Sequence, residues 1–183
     1  MGLLSRLKLL YLLYFSKPPA DRVLYRAIRR SQPRKIVVLG LGTAGRVLRM
    51  IEVARLLVPI RELHLTVIDP FEAQPADRSA ISLKQAFQLL RGTGVRVRLV
   101  PGEPLEGLMR AANDLGQVDL LVFSAGTVPG EMARAWFFVP RLLHNRTAIY
   151  LEKAQPDGPG TFQSMPQADI AALASAALRR RAA

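Results

Sequence analysis

Three glycines in six residues, Gly40-Leu-Gly-Thr-Ala-Gly45, lie between an apolar run and a segment with helical spacing of its apolar residues. Glycines in such a turn let ligand atoms approach the backbone, and the N-terminus of the following helix offers unpaired N–H groups. Asp69 ends the next apolar run, 24 residues after Gly45, where a carboxylate can accept hydrogen bonds from ribose hydroxyls. The pattern predicts a site for a nucleoside-containing ligand; the alternative is a tight structural turn with a helix-capping aspartate.

The composition excludes several other kinds of chemistry. The 183 residues include no cysteine and two histidines, His64 and His144. Disulfides, thiolate zinc sites, iron–sulfur clusters and thiol nucleophiles are therefore excluded, and a histidine-based metal site is disfavoured. We predict no metal site, so the chemistry has to come from carboxylates, hydroxyls, backbone amides or a bound cofactor.

The elements around the glycine turn alternate regularly. Apolar runs predict strands over residues 35–39, 63–68, 95–100, 118–123 and 147–151. Helical spacing predicts helices over residues 20–30, 46–57, 82–91, 105–115, 131–143 and 167–181, and residues 153–166 form a predicted Pro/Gly-rich loop. This order is typical of an α/β protein with a doubly wound, mostly parallel five-stranded sheet, helices on both faces and strand order 3-2-1-4-5.

In a doubly wound sheet, ligands bind at the carboxyl ends of the strands, beside the first strand. The candidate site is therefore formed by the residues that end or follow the strands, namely residues 40–45, 69–71, 102–105, 124–126 and Glu152. NAD and S-adenosylmethionine both satisfy the pattern of the first two strand ends. The residues that follow the third and fourth predicted strands are therefore needed to decide between these two ligands.

The strand ends resemble those of the class I S-adenosylmethionine-dependent methyltransferases. The matching segments are Val38-Leu-Gly-Leu-Gly-Thr-Ala-Gly45, Val67-Ile-Asp-Pro70, Val95-Arg-Val-Arg-Leu-Val-Pro-Gly-Glu103 and Val118-Asp-Leu-Leu-Val-Phe-Ser-Ala-Gly126. The resemblance implies that Gly40 and Gly42 contact the methionine part of the cofactor and that Asp69 binds the ribose hydroxyls. It also implies that Glu103 lies at the adenine, unless its charge only stabilises the helix N-terminus. The candidate cofactor-binding residues are Gly40, Leu41, Gly42, Gly45, Asp69, Pro70, Phe71, Gly102, Glu103, Pro104 and Ser124.

The chain also departs from the family pattern. Val38 stands where family members usually carry an acid, Ala44 where a glycine is common, and Ser124 where metal-dependent members carry an aspartate. The two strands that normally close the family's sheet are not evident after residue 151, so we expect five strands. These departures favour a second hypothesis, a catalytically inactive binding or scaffold module that retains the fold.

No residue stands out as a proton acceptor. His144 follows a predicted helix and is a candidate to reach the site, with a packed or solvent-exposed histidine as the alternative. Glu152 is a candidate to orient an acceptor, with a salt link to Lys153 or a solvated loop charge as the alternative. Trp136 and Phe137 are candidates to cover the site or to fill the core. Methyl transfer can proceed by positioning alone, because the sulfonium is already a strong electrophile, so the absence of a base does not exclude activity. Catalytic residues are therefore left unassigned.

The formal net charge of +12 belongs to the two ends of the sequence. Residues 1–35 contain nine lysines and arginines against Asp21 alone, and Arg179, Arg180 and Arg181 lie in the last predicted helix. Residues 36–178 carry 14 basic and 13 acidic side chains. Basic ends are able to meet nucleic acid or an anionic membrane, but solvated helix faces give the same count.

The first apolar run is too short to span a membrane and lacks the small residues of a cleavage site. We expect residues 1–15 to form an apolar helix that docks on the domain, with attachment to a membrane surface as the alternative. The predicted organisation is a basic helical extension over residues 1–32 and a Rossmann-like domain over residues 33–183. The predicted protein is cytoplasmic, with peripheral membrane binding as a variant.

The leading functional prediction is an S-adenosylmethionine-binding protein that methylates an acceptor the sequence does not identify. The inactive module is the second hypothesis, and an NAD-binding Rossmann protein is the third. The Pro-Gly-Glu that follows the third strand fits the NAD reading less well.

Overall fold

A single six-stranded sheet in the order β3-β2-β1-β4-β5-β6 forms the centre of the protein. The computed structural model describes residues 2–42, 44–73, 81–124, 134–155 and 158–182. The strands are β1 (Lys35–Leu39), β2 (His64–Asp69), β3 (Arg96–Pro101), β4 (Leu120–Phe123), β5 (Ala148–Gln155) and β6 (Gly158–Ser164). The first five strands pair in parallel, which confirms the predicted α/β class and the order 3-2-1-4-5.

Side chains of the central strands are buried alternately on the two faces of the sheet. In β1, Ile36 and Val38 belong to one hydrophobic cluster, and Val37 and Leu39 belong to the other. The pleat sends successive side chains to opposite faces, so a strand that helices cover on both sides needs a continuous apolar run. This requirement explains why β1, β2 and β4 were recognisable from the sequence.

The sixth strand corrects the prediction that residues 153–166 form a loop and that the sheet has five strands. β6 pairs antiparallel with β5, with Tyr150 opposite Ser164 and Lys153 opposite Thr161. Because β6 is the edge strand, Pro159 and two glycines are tolerated in it. A Cβ on Gly160 would lie 2.9 Å from the carbonyl oxygen of Lys153, so this glycine permits the close pairing.

Among the described residues, six α-helices surround the sheet. They are α1 (Leu3–Tyr14), α2 (Arg22–Ser31), α3 (Gly45–Arg55), α4 (Leu83–Arg91), α5 (Pro104–Leu115) and α6 (Gln167–Ala182). The predicted helix over residues 131–143 is not continuous: residues 131–133 lie outside the described residues, and Val139–Leu142 form a 3-10 turn. Pro140 lies inside that turn and lacks the N–H that an α-helix requires.

The two helices that precede β1 share a hydrophobic core with the sheet. Leu13 of α1 and Leu24 and Ile28 of α2 are buried in the same cluster as Val47 and Met50 of α3. The predicted boundary after residue 32 stays a prediction. No helix in the described ranges is both long and apolar enough to span a bilayer.

Candidate functional site

The carboxyl ends of β1, β2, β3 and β4 meet at one edge of the sheet. The N–H of Gly40, directly after β1, donates to Ile68 O over 2.9 Å, and the N–H of Ser124, directly after β4, donates to Leu39 O over 2.8 Å. The N–H of Gly102, after β3, donates to Asp69 O over 3.1 Å. The fold therefore brings these predicted site residues together, although Ala125 and Gly126 lie outside the described residues.

The glycine turn has one crowded and one open position. Gly40 has a φ of +87°, and a Cβ there would lie 2.9 Å from Ser124 Cβ. The Ser124 hydroxyl also donates to Gly40 O over 2.8 Å, which ties the ends of β1 and β4 together. Gly42 has a φ of +58°, is exposed, and a Cβ on it would meet no described atom within 4 Å. The turn thus leaves room for a ligand against the backbone of Gly42.

The Ala44 departure concerns the fifth of the six residues in this turn. Ala44 has a φ of +61° and is fully buried. The left-handed conformation costs a non-glycine residue roughly 1–2 kcal/mol, and burial of the methyl group offsets about 0.8 kcal/mol of that cost. Alanine is therefore tolerated where the family often has glycine.

Asp69 holds the two loops of the site in place. One carboxylate oxygen accepts the N–H of Leu41 over 2.6 Å, and the other accepts the N–H of Phe71 over 2.6 Å. The residue is 2% exposed. Charged hydrogen bonds of this kind position a backbone strongly, so in this structure Asp69 orders the glycine turn and the end of β2. Its contact with ribose stays a prediction.

The other candidate residues differ in how far they face solvent. Phe71, with a φ of +51°, is 1% exposed and packs in the core, as does Leu41. Pro104 is buried as the first residue of α5. Gly45, Pro70, Gly102 and Glu103 are partly exposed at the same edge as Gly42.

A cluster of ionic side chains lies beside the turn and is centred on Arg46. Arg46 Nε donates to Asp21 Oδ1 over 2.8 Å. Its two terminal nitrogens donate to the Glu152 carboxylate over 2.9 and 2.6 Å. The guanidinium carbon also lies 4.6 Å from the centre of the Phe162 ring. One side chain therefore joins α3, the segment before α2, the middle of β5, and β6. Glu152 lies inside β5 and pairs with Phe162 of β6, which corrects its predicted place directly after the fifth strand.

The side chains of the Arg46 cluster are largely shielded from water, which strengthens the electrostatic interactions between their charges. The Asp21 and Glu152 side chains are 2% and 9% exposed, while Arg46 is 24% exposed. Burial alone would lower the pKa of Arg46, but the two carboxylates outweigh it and raise that pKa above its usual value. Burial and the Asp21 carboxylate raise the pKa of the nearby Tyr25 to about 12. The Arg46 guanidinium and the neutral Tyr25 hydroxyl therefore keep these protonation states across the physiological range.

The Arg46 cluster was missed by the sequence analysis. Glu152 was considered as a partner of Lys153, whereas the structure pairs it with Arg46, 106 residues away. Asp21 carried one signal, since it is the sole acid among residues 1–35. Phe162 carried none, because it falls in a segment predicted to be a loop.

The structure places His144 at the opposite end of the sheet, so of the two alternatives for this residue it is the structural one, away from the site, that holds. His144 lies before β5, near the amino ends of the strands, and its Nε2 is 3.0 Å from Asp119 Oδ1. The N–H of Arg146 donates to His144 Nδ1 over 3.1 Å, so Nε2 carries the proton and donates to Asp119. Trp136, a candidate to cover the site or to fill the core, lies in the core, with its ring centre 4.9 Å from that of Phe123.

Asp119 is expected to give the protein an acid-sensitive contribution to stability. Partial burial would raise the pKa of Asp119, but the N–H groups of Lys35 and Arg34, each 2.8 Å away, outweigh it and hold that pKa below its usual range. A lowered folded-state pKa stabilises above the unfolded value of about 3.9 and loses this effect as pH falls through the folded value. Asp119→Asn should lower the free energy of unfolding at pH 7 by roughly 1–2 kcal/mol.

Urea unfolding at pH 7 and at lower pH measures this difference, which should shrink as Asp119 of the unmodified chain becomes protonated. Asp114→Asn is the matched control, because Asp114 is 65% exposed and pairs with an exposed arginine. Equal losses for the two variants at pH 7 would contradict the prediction.

Comparison with known proteins identifies the fold. Neither a protein-family model nor a curated protein sequence matches the chain. A methyltransferase from Geobacter sulfurreducens superposes with a TM-score of 0.56 at 17% identity, over 89% of this chain and 88% of that one. The fold is that of the class I methyltransferases.

Two further solved structures share this methyltransferase-like fold. The O-methyltransferase TomG from Streptomyces achromogenes, in complex with S-adenosylmethionine, gives a TM-score of 0.53 at 18% identity, over 87% of this chain and 72% of that one. A protein assigned as a caffeoyl-CoA O-methyltransferase from Staphylococcus aureus gives 0.55 at 13% identity, over 82% and 66%. The present chain thus spans just under two thirds of the Staphylococcus protein. At these identities the likeness concerns the fold.

Proposed function

We propose that the chain binds S-adenosylmethionine at the carboxyl ends of β1, β2 and β3 and transfers its methyl group to an acceptor. The observation that carries the proposal is the open left-handed position at Gly42, three residues before the first residue of α3. A ligand there approaches the backbone closely and meets the N–H groups of a helix N-terminus. The complex of TomG with S-adenosylmethionine supports the choice of cofactor within this fold.

In this proposal the turn over residues 40–45 holds the methionine part. Asp69 lies at the ribose and keeps the backbone of Leu41 in position. Gly102, Glu103 and Pro104 face the adenine, and Ser124 fixes the distance between β1 and β4 through Gly40 O.

Bound S-adenosylmethionine would supply a methyl group on a positively charged sulfur: the sulfur–methyl bond breaks as the bond to the acceptor forms, S-adenosylhomocysteine is left, and the acceptor's proton passes to water. Such a transfer can proceed by positioning alone. The chain's own contribution is therefore binding, orientation and charge. The Arg46 cluster balances the carboxylates of Asp21 and Glu152 against Arg46 and Arg49. It therefore carries no excess positive charge that would repel a cationic sulfur.

Thermal unfolding with S-adenosylmethionine, its demethylated product S-adenosylhomocysteine, or NAD tests the proposal. A ligand at about 100 times its dissociation constant adds about 2.7 kcal/mol, which should raise the Tm by roughly 5–10 °C for a chain of this length. We expect both sulfur ligands to give this rise and NAD to give none. A rise with NAD alone, or no rise with any ligand, would refute the proposal. The last result would favour the inactive module.

A further inference from the structure

Helix α1 has two apolar faces, of which the domain covers one. Leu9, Leu12 and Leu13 are buried against the core. Seven other large side chains of the segment are about half exposed or more: Leu3, Leu4, Leu7, Leu10, Tyr11, Tyr14 and Phe15. At about 100° per residue, the exposed apolar side chains of the helix occupy an arc of roughly 120°, from Leu10 to Leu4, opposite the buried ones.

Contacts with the domain set which face of α1 is covered. Arg22 Nε donates to Ser16 O over 2.8 Å, just beyond the C-terminus of α1. Lys8 pairs with Glu52 of α3. Together with the buried leucines, these contacts direct the other apolar face to solvent. A contiguous exposed apolar face of this kind marks an interaction surface.

Positive charge borders the apolar face. Arg6 and Lys8 lie at about 40° beyond its two edges on the helical wheel. Lys17 follows the helix, and the neighbouring α2 carries Arg26, Arg29 and Arg30 on its exposed side. Lys8 shares its charge with Glu52, whereas Asp21, the sole acid among residues 1–35, is buried in the Arg46 cluster and leaves the other cations of this border unneutralised.

We propose that the exposed face of α1 docks on an anionic phospholipid surface, with the leucines and aromatic rings in the acyl boundary and the cations at the lipid phosphates. A helix with an apolar face and a basic border lies in the interface in this way, and long cationic side chains reach up to the headgroups. A second copy of the chain fits less well, because a twofold contact would bring two positive rims together. Nucleic acid fits less well, because the centre of the surface is leucine-rich.

Flotation of the full chain with vesicles tests this docking. We expect binding to vesicles of phosphatidylcholine with phosphatidylglycerol, weaker binding to phosphatidylcholine alone, and weakening at high salt as the charges are screened. Leu7→Gln with Tyr11→Gln should reduce binding to the anionic vesicles at least about tenfold. Phe87→Gln with Leu89→Gln is the matched control, because these α4 side chains are 43% and 47% exposed, and it should bind as the unmodified chain does.

Three results would overturn the proposal. The first is flotation of the Leu7/Tyr11 variant to the same extent as the unmodified chain, and the second is an equal loss of binding in both substituted variants. The third is failure of the unmodified chain to float with anionic vesicles; gel filtration then tests for a dimer that the Leu7/Tyr11 variant loses, and a mobility shift tests for binding to nucleic acid. All four substituted side chains are substantially exposed, and thermal unfolding of each variant checks that folding is retained.

Discussion

Replacing Arg46 with methionine is expected to lower the free energy of unfolding by roughly 3 kcal/mol. The methionine keeps an apolar stem beside Phe162 but removes the cation that pairs with Asp21 and Glu152. Both carboxylates are at least nine-tenths buried, and Arg49, 3.9 Å from Asp21, compensates them only in part, so buried charge is left poorly solvated. The loss is therefore larger than that for a surface ion pair.

Urea unfolding at neutral pH measures this effect. Arg55→Met is the matched control, because Arg55 lies on the same helix and is exposed, and its effect should stay within about 0.5 kcal/mol. Adding Asp21→Asn and Glu152→Gln to the Arg46→Met variant should restore much of the loss, because both buried negative charges are then removed together with the cation. A loss of equal size in the Arg46 and Arg55 variants would contradict the role we assign to the cluster.

The second large effect is expected at Gly42. Asparagine adopts left-handed backbone conformations more readily than other non-glycine residues, so Gly42→Asn should change the free energy of unfolding by no more than about 1 kcal/mol. Its side chain would enter the open space beside the turn. We expect the dissociation constant for S-adenosylhomocysteine to rise at least about 100-fold, a loss of about 2.7 kcal/mol.

Calorimetric titration with S-adenosylhomocysteine measures this change. Gln32→Asn is the matched control, because Gln32 also has a left-handed backbone, with a φ of +46°, but lies before β1 at the other end of the sheet. It should leave the affinity unchanged. Unaltered affinity in Gly42→Asn, with clear binding by the unmodified chain, would place the ligand away from this turn.

Much of the fold was predictable because its information is local. β1, the glycine turn and α3 follow one another within 21 residues, and each has its own periodicity. β6 was not predictable in this way, because Pro159 and its glycines disfavour a strand. Its formation depends on pairing with the edge of β5 and on the tolerance of an edge strand for proline.

The candidate site likewise has features that the sequence predicts and features that depend on contacts between distant residues. The sequence predicted that Gly40, Asp69, Gly102 and Ser124 lie at one edge, because carboxyl ends of parallel strands coincide. It did not predict that both oxygens of Asp69 accept backbone N–H groups. Such hydrogen bonds depend on where two loops meet in space, which residue types alone do not specify.

The sequence by itself determined the class of fold, the strand order and the edge of the sheet that carries the glycine turn. Periodicity, glycine placement and the handedness of parallel connections are sufficient for these features. Only the tertiary structure decided the partners of Arg46, the sixth strand, the remote position of His144, and which face of α1 is covered. These features arise from contacts between residues far apart in the chain, and a helix with apolar residues all round does not specify which side the domain will bury.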